Sequence, residues 1–340
     1  MSFRDACIPV RLGWSSPFAR WQGPLAEVSS LDLAAGVTAD ALASRGLPAS
    51  EVTGIVLGWT VPQPEIFYGA STVAARIGAP HATGAILSQA CATSAACLEA
   101  AALRVETGLD ELSVVITTDR TSNGPVLTYP APSAPGGAPR QETWVLDNFR
   151  RDPWAGLSMV ATAERVAAEA GLTRERLDEV TLLRYQQYQA ALADDRAFQR
   201  RYMVPVTLPA RRGEPTVVDG DAGVHPTTAE GLAKLAPAEP GGVVTYGTQT
   251  HPADGTAAWW SRRPPGPGNW PAATGSRASS APASPAPAEA RCPRPRCPPR
   301  WPRWTGPGSA LATWTRSPPT TRSQSTTCGS ASRPASPWNG

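Results

Sequence analysis

After Ala258 the chain loses nearly every residue type from which a hydrophobic core is made. Residues 259–340 contain one leucine (Leu311) and no isoleucine, valine, phenylalanine, tyrosine or methionine. The same stretch holds 17 of the 37 prolines and 7 of the 12 tryptophans. Without branched aliphatic side chains it cannot bury enough apolar surface to offset the entropy of ordering its backbone. Proline at that density also removes backbone donors and interrupts helices and ladders. No fold is expected there, so the folded part must be built from the first 258 residues.

Charge divides at the same place. Residues 1–258 carry 20 Lys and Arg against 27 Asp and Glu, a net −7, whereas residues 259–340 carry 11 Arg and the single acid Glu289, a net +10. The acidic body argues against a nucleic-acid-binding protein driven by the basic tail. No apolar run is long enough to span a bilayer, and "MSFRDACIPV" lacks the apolar stretch of a signal peptide. A soluble, cytoplasmic protein with no membrane or nucleic-acid partner is the expectation. The body's cysteines, Cys7, Cys91 and Cys97, show no disulfide-framework spacing, which favours reduced thiols.

Along the body, helical and strand patterns alternate. "SSLDLAAGVTADALASRG" has Ser or Asp as N-cap, apolar residues at three-and-four spacing and Gly46 as a stop, and "VTGIVLGWTV" follows as a strand. "CATSAACLEAAALRVETGLDELSVVITTD" repeats the order, with Gly108 closing the helix and residues 113–118 forming the strand. Such alternation predicts an α/β sheet covered by helices on both faces. Residues 121–155 read as a long loop, "SMVATAERVAAEAG" and "TRERLDEVTLLRYQQYQAALADD" as helices, and "MVPVTLP" and "GEPTVVDGD" as edge strands. "GGVVTYGTQTHPADGTAA" reads as a strand, a loop and the start of a small-residue helix.

Cys91 stands where the strand "AILSQ" passes into the second of these helices. On the first turn of a helix a thiol meets exposed N–H groups and the positive end of the helix dipole, both of which favour the nucleophilic thiolate. Its neighbours Ala90, Ala92, Thr93, Ser94, Ala95 and Ala96 are small enough to let a slender substrate approach the sulfur. The plain alternative is a buried structural cysteine.

The order of elements favours the first reading, because "LSQACATSAACLEAAALRVETG" resembles the nucleophile region of the thiolase family: a strand, Asn-x-x-Cys-x-Ser-Gly, then a small-residue helix ending in Gly. Ser88 and Thr93-Ser94 stand where the family often has Asn and Ser-Gly. "VRLGWSSPFARWQGPLAEVSSLDLAAGVTADALASRG" is similar to the family's opening, and "GLSMVATAERVAAEAGLTRERLDE" to a segment of its loop domain. There Thr162, Ala163 and Glu164 match, and Ser158 takes the place of a substrate-contacting His. "TYGTQTHPADGTAA" matches a further motif at Thr245, Gly247, Asp254 and Gly255. Thr248 and Thr250 stand in for its Asn and for the Ser that meets the pantetheine arm.

The resemblance implies a thiolase-like layered αβαβα fold of two similar halves with a loop domain inserted after the first. The expected segments are 1–120 for the first half, 121–240 for the loop domain, 241–258 for the start of an incomplete second half, and 259–340 for the tail. It implies acyl transfer on coenzyme A thioesters, with Cys91 as acyl-accepting nucleophile and Ser158, Thr248 and Thr250 as substrate-binding residues. Backbone and side-chain donors would stabilise the developing oxyanions. No metal or other cofactor is implied. The expected partners are the acyl-CoA substrate and either a second copy of the chain or a thiolase-like subunit.

Two family motifs are missing. Neither the Gly-His-Pro-x-Gly that carries the activating His nor the Cys-x-Gly-Gly-Gly that carries a second Cys occurs. His81, His225 and His251 lie in other contexts, and Cys292, Cys297 and Cys328 fall in the tail. The tail suggests a shifted reading frame. Trp259-Trp260 must be TGGTGG, which read two bases later gives an apolar residue and then Val-Val. The rival is a genuine Pro/Arg-rich extension that binds an acidic partner. Together these features lead to the expectation of a truncated, inactive thiolase-type chain, with a non-catalytic acyl-CoA-binding or partner subunit as the alternative.

Overall fold

The "GIVLG" stretch becomes a strand buried at every position (β3, Gly54–Gly58), as a strand covered on both faces must be. In the computed structural model, which describes residues 3–263 apart from 4, 10–11 and 210–212, it lies inside a mixed sheet, with a strand paired on either side. Before it come the two-residue strands β1 (Trp14–Ser15) and β2 (Ala19–Arg20) and helix α1 (Ser30–Ser44). After it come α2 (Gly69–Arg76), β4 (Thr83–Leu87), α3 (Thr93–Glu106) and β5 (Leu112–Asp119). An insertion follows: the hairpin β6 (Val126–Tyr129) and β7 (Arg140–Thr143), then α4 (Trp144–Arg150), α5 (Met159–Glu169), α6 (Arg174–Ala191) and a short turn α7 (Ala193–Arg196). It ends with the hairpin β8 (Val206–Leu208) and β9 (Thr216–Val218) and with α8 (Ala229–Ala233). The chain then returns to the sheet as β10 (Ala253–Arg262).

The period of two along a strand decides what each face carries. Ile55 and Leu57 of β3, with Val114 and Ile116 of β5, join Leu31, Val37 and Ala41 of α1 and Val73 of α2 in the larger core cluster. Val56 and Val115, pointing the other way, pack against Cys97 and Ala101 of α3. The sheet runs β1-β10-β5-β3-β4, with β2 also on β10. β3 is parallel to both β4 and β5, and β10 is antiparallel to β5 from Gly255 to Arg262. Helix stops fall where the sequence places them, with Gly46 at φ 64° and Gly108 at φ 77°. Only glycine adopts that conformation without strain.

Three expectations need correction. Residues 253–262 do not begin a small-residue helix or a second half; β10 completes the sheet of the first half. The fold also does not stop at Ala258. Trp259 and Trp260 pair with Val115 and Val114, and Trp260 is 1% exposed, so the strand is unbroken where the sequence suggested an interruption. Its passage requires Gly13, because a Cβ there would lie 2.8 Å from the Trp259 ring. Finally, the 121–155 segment is no featureless loop, since it contains β6, β7 and α4. Expectations about the tail from residue 264 onward, including Cys292, Cys297 and Cys328, lie outside the described residues.

Candidate active site

Parallel strands end together, and ligands of open α/β sheets collect at their carboxyl ends. Here a cleft of about 580 Å³ lies at that edge. Gly58 ends β3 and Thr60 and Val61 follow it, Ser88, Ala90 and Cys91 follow β4, and Thr117 and Asp119 end β5. Thr93 and Ser94 come from the head of α3, α4 with the loop after it contributes Trp144, Val145, Asn148, Phe149, Asp152 and Pro153, and Met159 opens α5.

Cys91 is exposed in this cleft, not sealed in the interior. It does not sit on the first helical turn, as expected, but one residue before the N-cap Ala92 of α3. A tight turn holds it there. The Ala92 and Thr93 amides donate to the carbonyls of Gln89 and Ala90 at 3.0 Å, and Ala90 takes φ 45°, a conformation alanine adopts only at some cost. The buried Thr93 closes the turn: its hydroxyl donates to the Ala90 carbonyl at 2.7 Å and accepts from the Gln89 amide at 2.8 Å. The Thr93 that replaces a family Ser therefore acts as the turn's clasp. Cys97, one and a half turns on, is fully buried, and burial pushes its thiol up to about 11.

Asp119 is a site residue that sequence reasoning missed. Its carboxylate accepts from the Thr60 amide (2.7 Å), the Thr60 hydroxyl (2.6 Å) and the Val61 amide (2.9 Å). Burial, the largest influence, pushes its pKa above the ordinary carboxylate range; those hydrogen bonds oppose the rise and the nearby Asp254 adds to it. The Thr60 carbonyl in turn accepts from the Trp144 indole at 2.8 Å, which ties the inserted segment to the sheet. An acid at a strand end carries no signal in a single sequence, and neither does a tryptophan in a proline-rich stretch.

The other predicted residues do not line this cleft. Ser158 caps α5, accepting from the Ala161 amide at 2.9 Å. Thr248 exchanges hydrogen bonds with the backbone of Thr245, whereas Thr250 is exposed. Glu164 secures their segment, since its carboxylate accepts from the amides of Val243 and Val244 at 2.9 and 2.8 Å. The His251 ring lies between the carbonyls of Gly223 and Pro252. Among the described residues no His and no second Cys lines the cleft, and no group of three or more His, Cys, Asp or Glu is placed to hold a metal. No described helix is long and apolar enough to cross a membrane.

An exposed cysteine on a strand-to-helix turn, at the carboxyl ends of parallel strands and under an inserted helical segment, defines an α/β protein built around one thiol. Comparison with known proteins narrows the class. Residues 13–260 match the family described as "Thiolase, N-terminal domain", and the chain belongs to the thiolase family. It is 30% identical over 256 residues to a beta-ketoadipyl-CoA thiolase of Acinetobacter baylyi, covering 72% of this chain and 63% of that one. It is 31% identical over 245 residues to an acetyl-CoA acetyltransferase of Pseudomonas aeruginosa, covering 70% and 61%. Among solved structures, the acetyl-CoA acetyltransferase from Syntrophomonas wolfei superposes with a TM-score of 0.69 at 26% identity, over 77% of this chain and 65% of that one. The chain thus spans less than two thirds of the length of these relatives.

Proposed function

We propose that the folded body is the nucleophile-bearing half of a thiolase-type acyltransferase, with Cys91 accepting an acyl group from a coenzyme A thioester. The exposed thiol in the cleft at the strand ends carries this reading. Attack of the Cys91 sulfur on the thioester carbonyl would release coenzyme A and leave a thioester on the protein. Thr250, whose side chain is exposed, and Thr248 and Ser158 are assigned by resemblance to the substrate arm. The cleft's described lining offers no histidine to take the thiol proton and no second cysteine to move a proton at the alpha carbon. We therefore infer that carbon–carbon bond formation and thiolysis are negligible, because a nucleophile without its base loses most of its advantage.

Incubating the full chain with acetyl-CoA tests both parts. An acetyl adduct on the Cys91 peptide that Cys91→Ala abolishes, without acetoacetyl-CoA release, is the expected result; robust acetoacetyl-CoA formation would refute the inactivity. The cleft's lack of those two groups also favours a second reading, an acyl-CoA-binding subunit of a thiolase-like assembly. Coenzyme A binding with no adduct at Cys91, or copurification with an intact thiolase-like subunit, would select it. A shifted reading frame in the tail is part of the same proposal; resequencing the gene across codons 255 to 262 tests it.

A further inference from the structure

The cleft around Cys91 carries charge of one sign. Asp119 and Asp152 stand in its wall, and no described lysine, arginine or histidine does; Arg150 and Arg151 adjoin it in sequence without lining it. Neither carboxylate is ion-paired among the described residues. Asp119 is held by the Thr60 and Val61 groups. Asp152 accepts from the amides of Trp154 and Ala155 at 2.7 and 2.6 Å. Amide donors leave a net negative charge that a guanidinium would have cancelled. The remainder of the wall is neutral, with apolar surface from Val61, Trp144, Val145, Phe149 and Met159.

We propose that this cleft selects by charge: Cys91 accepts uncharged acyl groups and rejects those that end in a free carboxylate, with Asp119 and Asp152 as the specificity-determining residues. The substrates rest on the function proposed above, but the electrostatics do not. A dicarboxylic acyl group bound to Cys91 would place its far carboxylate in the same cleft of about 580 Å³ as two like charges and no counter-ion. At separations of roughly 5–10 Å across a partly wet cleft, such repulsion amounts to about a three- to ten-fold effect on rate at moderate salt. Unpaired like charge is a common means of excluding a wrong partner.

Two alkylating agents of nearly equal size test the electrostatics without any thioester. The rate of iodoacetate relative to iodoacetamide is measured at the Cys91 peptide of the full chain and normalised to the same ratio for 2-mercaptoethanol. The expected ratio lies about three- to ten-fold below the small-thiol reference and rises in Asp119→Asn and in Asp152→Asn. Both substitutions keep the oxygen that accepts the backbone amides, and Asp152→Asn lies outside the sheet, so the test survives misfolding of the other variant. A ratio equal to the reference, or one unmoved by either substitution, overturns the proposal. With thioesters, butyryl-CoA is expected to acylate Cys91 faster than succinyl-CoA by a similar factor; equal rates overturn the proposal as well. If neither thioester reacts, the acyl-transfer reading fails and the alkylation ratio alone decides this inference.

Discussion

Two cysteines six residues apart sit at opposite extremes of environment. Cys91 faces the cleft, while Cys97 is packed among Val56, Ala101 and Val115, where the uncharged thiol is favoured. At pH 8 a thiol displaced to about 11 is ionised in roughly one molecule in a thousand. Iodoacetamide should therefore modify Cys91 in the native chain and leave Cys97 untouched until urea is added; equal labelling by peptide mass analysis would contradict the packing. The same burial couples to stability. The folded state holds the Cys97 proton more tightly than the unfolded state, whose thiol ionises near 9.0. The contribution is complete below pH 9 and is lost as pH rises from about 9 to about 11, by roughly 2–3 kcal/mol. Cys97→Ala should flatten that alkaline loss in urea-denaturation series while lowering stability at neutral pH through the cavity it leaves.

At the scale of elements, β10 is the informative case. Its buried and half-buried positions alternate from Thr256 to Trp260, so the tryptophan pair divides its labour: Trp260 fills the core and Trp259 lies over Gly13. Trp260→Ala should cost about 3–5 kcal/mol. A chain ended after Ala258 should melt well below one ended after Arg263; matched melting temperatures would place the boundary back at Ala258. Gly58 is a second sensitive point, since a Cβ there would lie 2.7 Å from the Cys97 sulfur and 2.8 Å from Thr93 Cγ2. Gly58→Ala should destabilise by about 1–3 kcal/mol through overpacking and slow Cys91 labelling by shifting the head of α3. These elements also show what a sequence conveys. α1, β3, α3 and β5 were legible because period, caps and glycine stops agree within a few residues of each other. β10 was not, because "DGTAA" is equally suited to a helix start and the pairing with β5 joins residues about 140 positions apart. At the site, Cys91 was legible through its short local pattern. Asp119, Trp144 and Asp152 reach the cleft only by tertiary placement and leave no such mark.

At the scale of the molecule, the sheet has one flanked side and, among the described residues, one open side. β10 is flanked by β1 and β2, whereas β4 ends the strand order, and Thr83, Gly84 and Ala85 are exposed along it. An outermost strand presents unpaired amides and carbonyls to any other extended segment. The sedimentation coefficient of the full chain should therefore rise with concentration over an about hundred-fold range, and Ala85→Lys should suppress the rise, because a charge on an outer strand opposes further pairing. A coefficient independent of concentration in both proteins would show that the edge is inert. An open margin of this kind gives a molecule a preferred direction of growth. Crowding by its own copies then acts on β4 as a ligand acts on a binding site, so the yield and age of a preparation govern what state is observed in it.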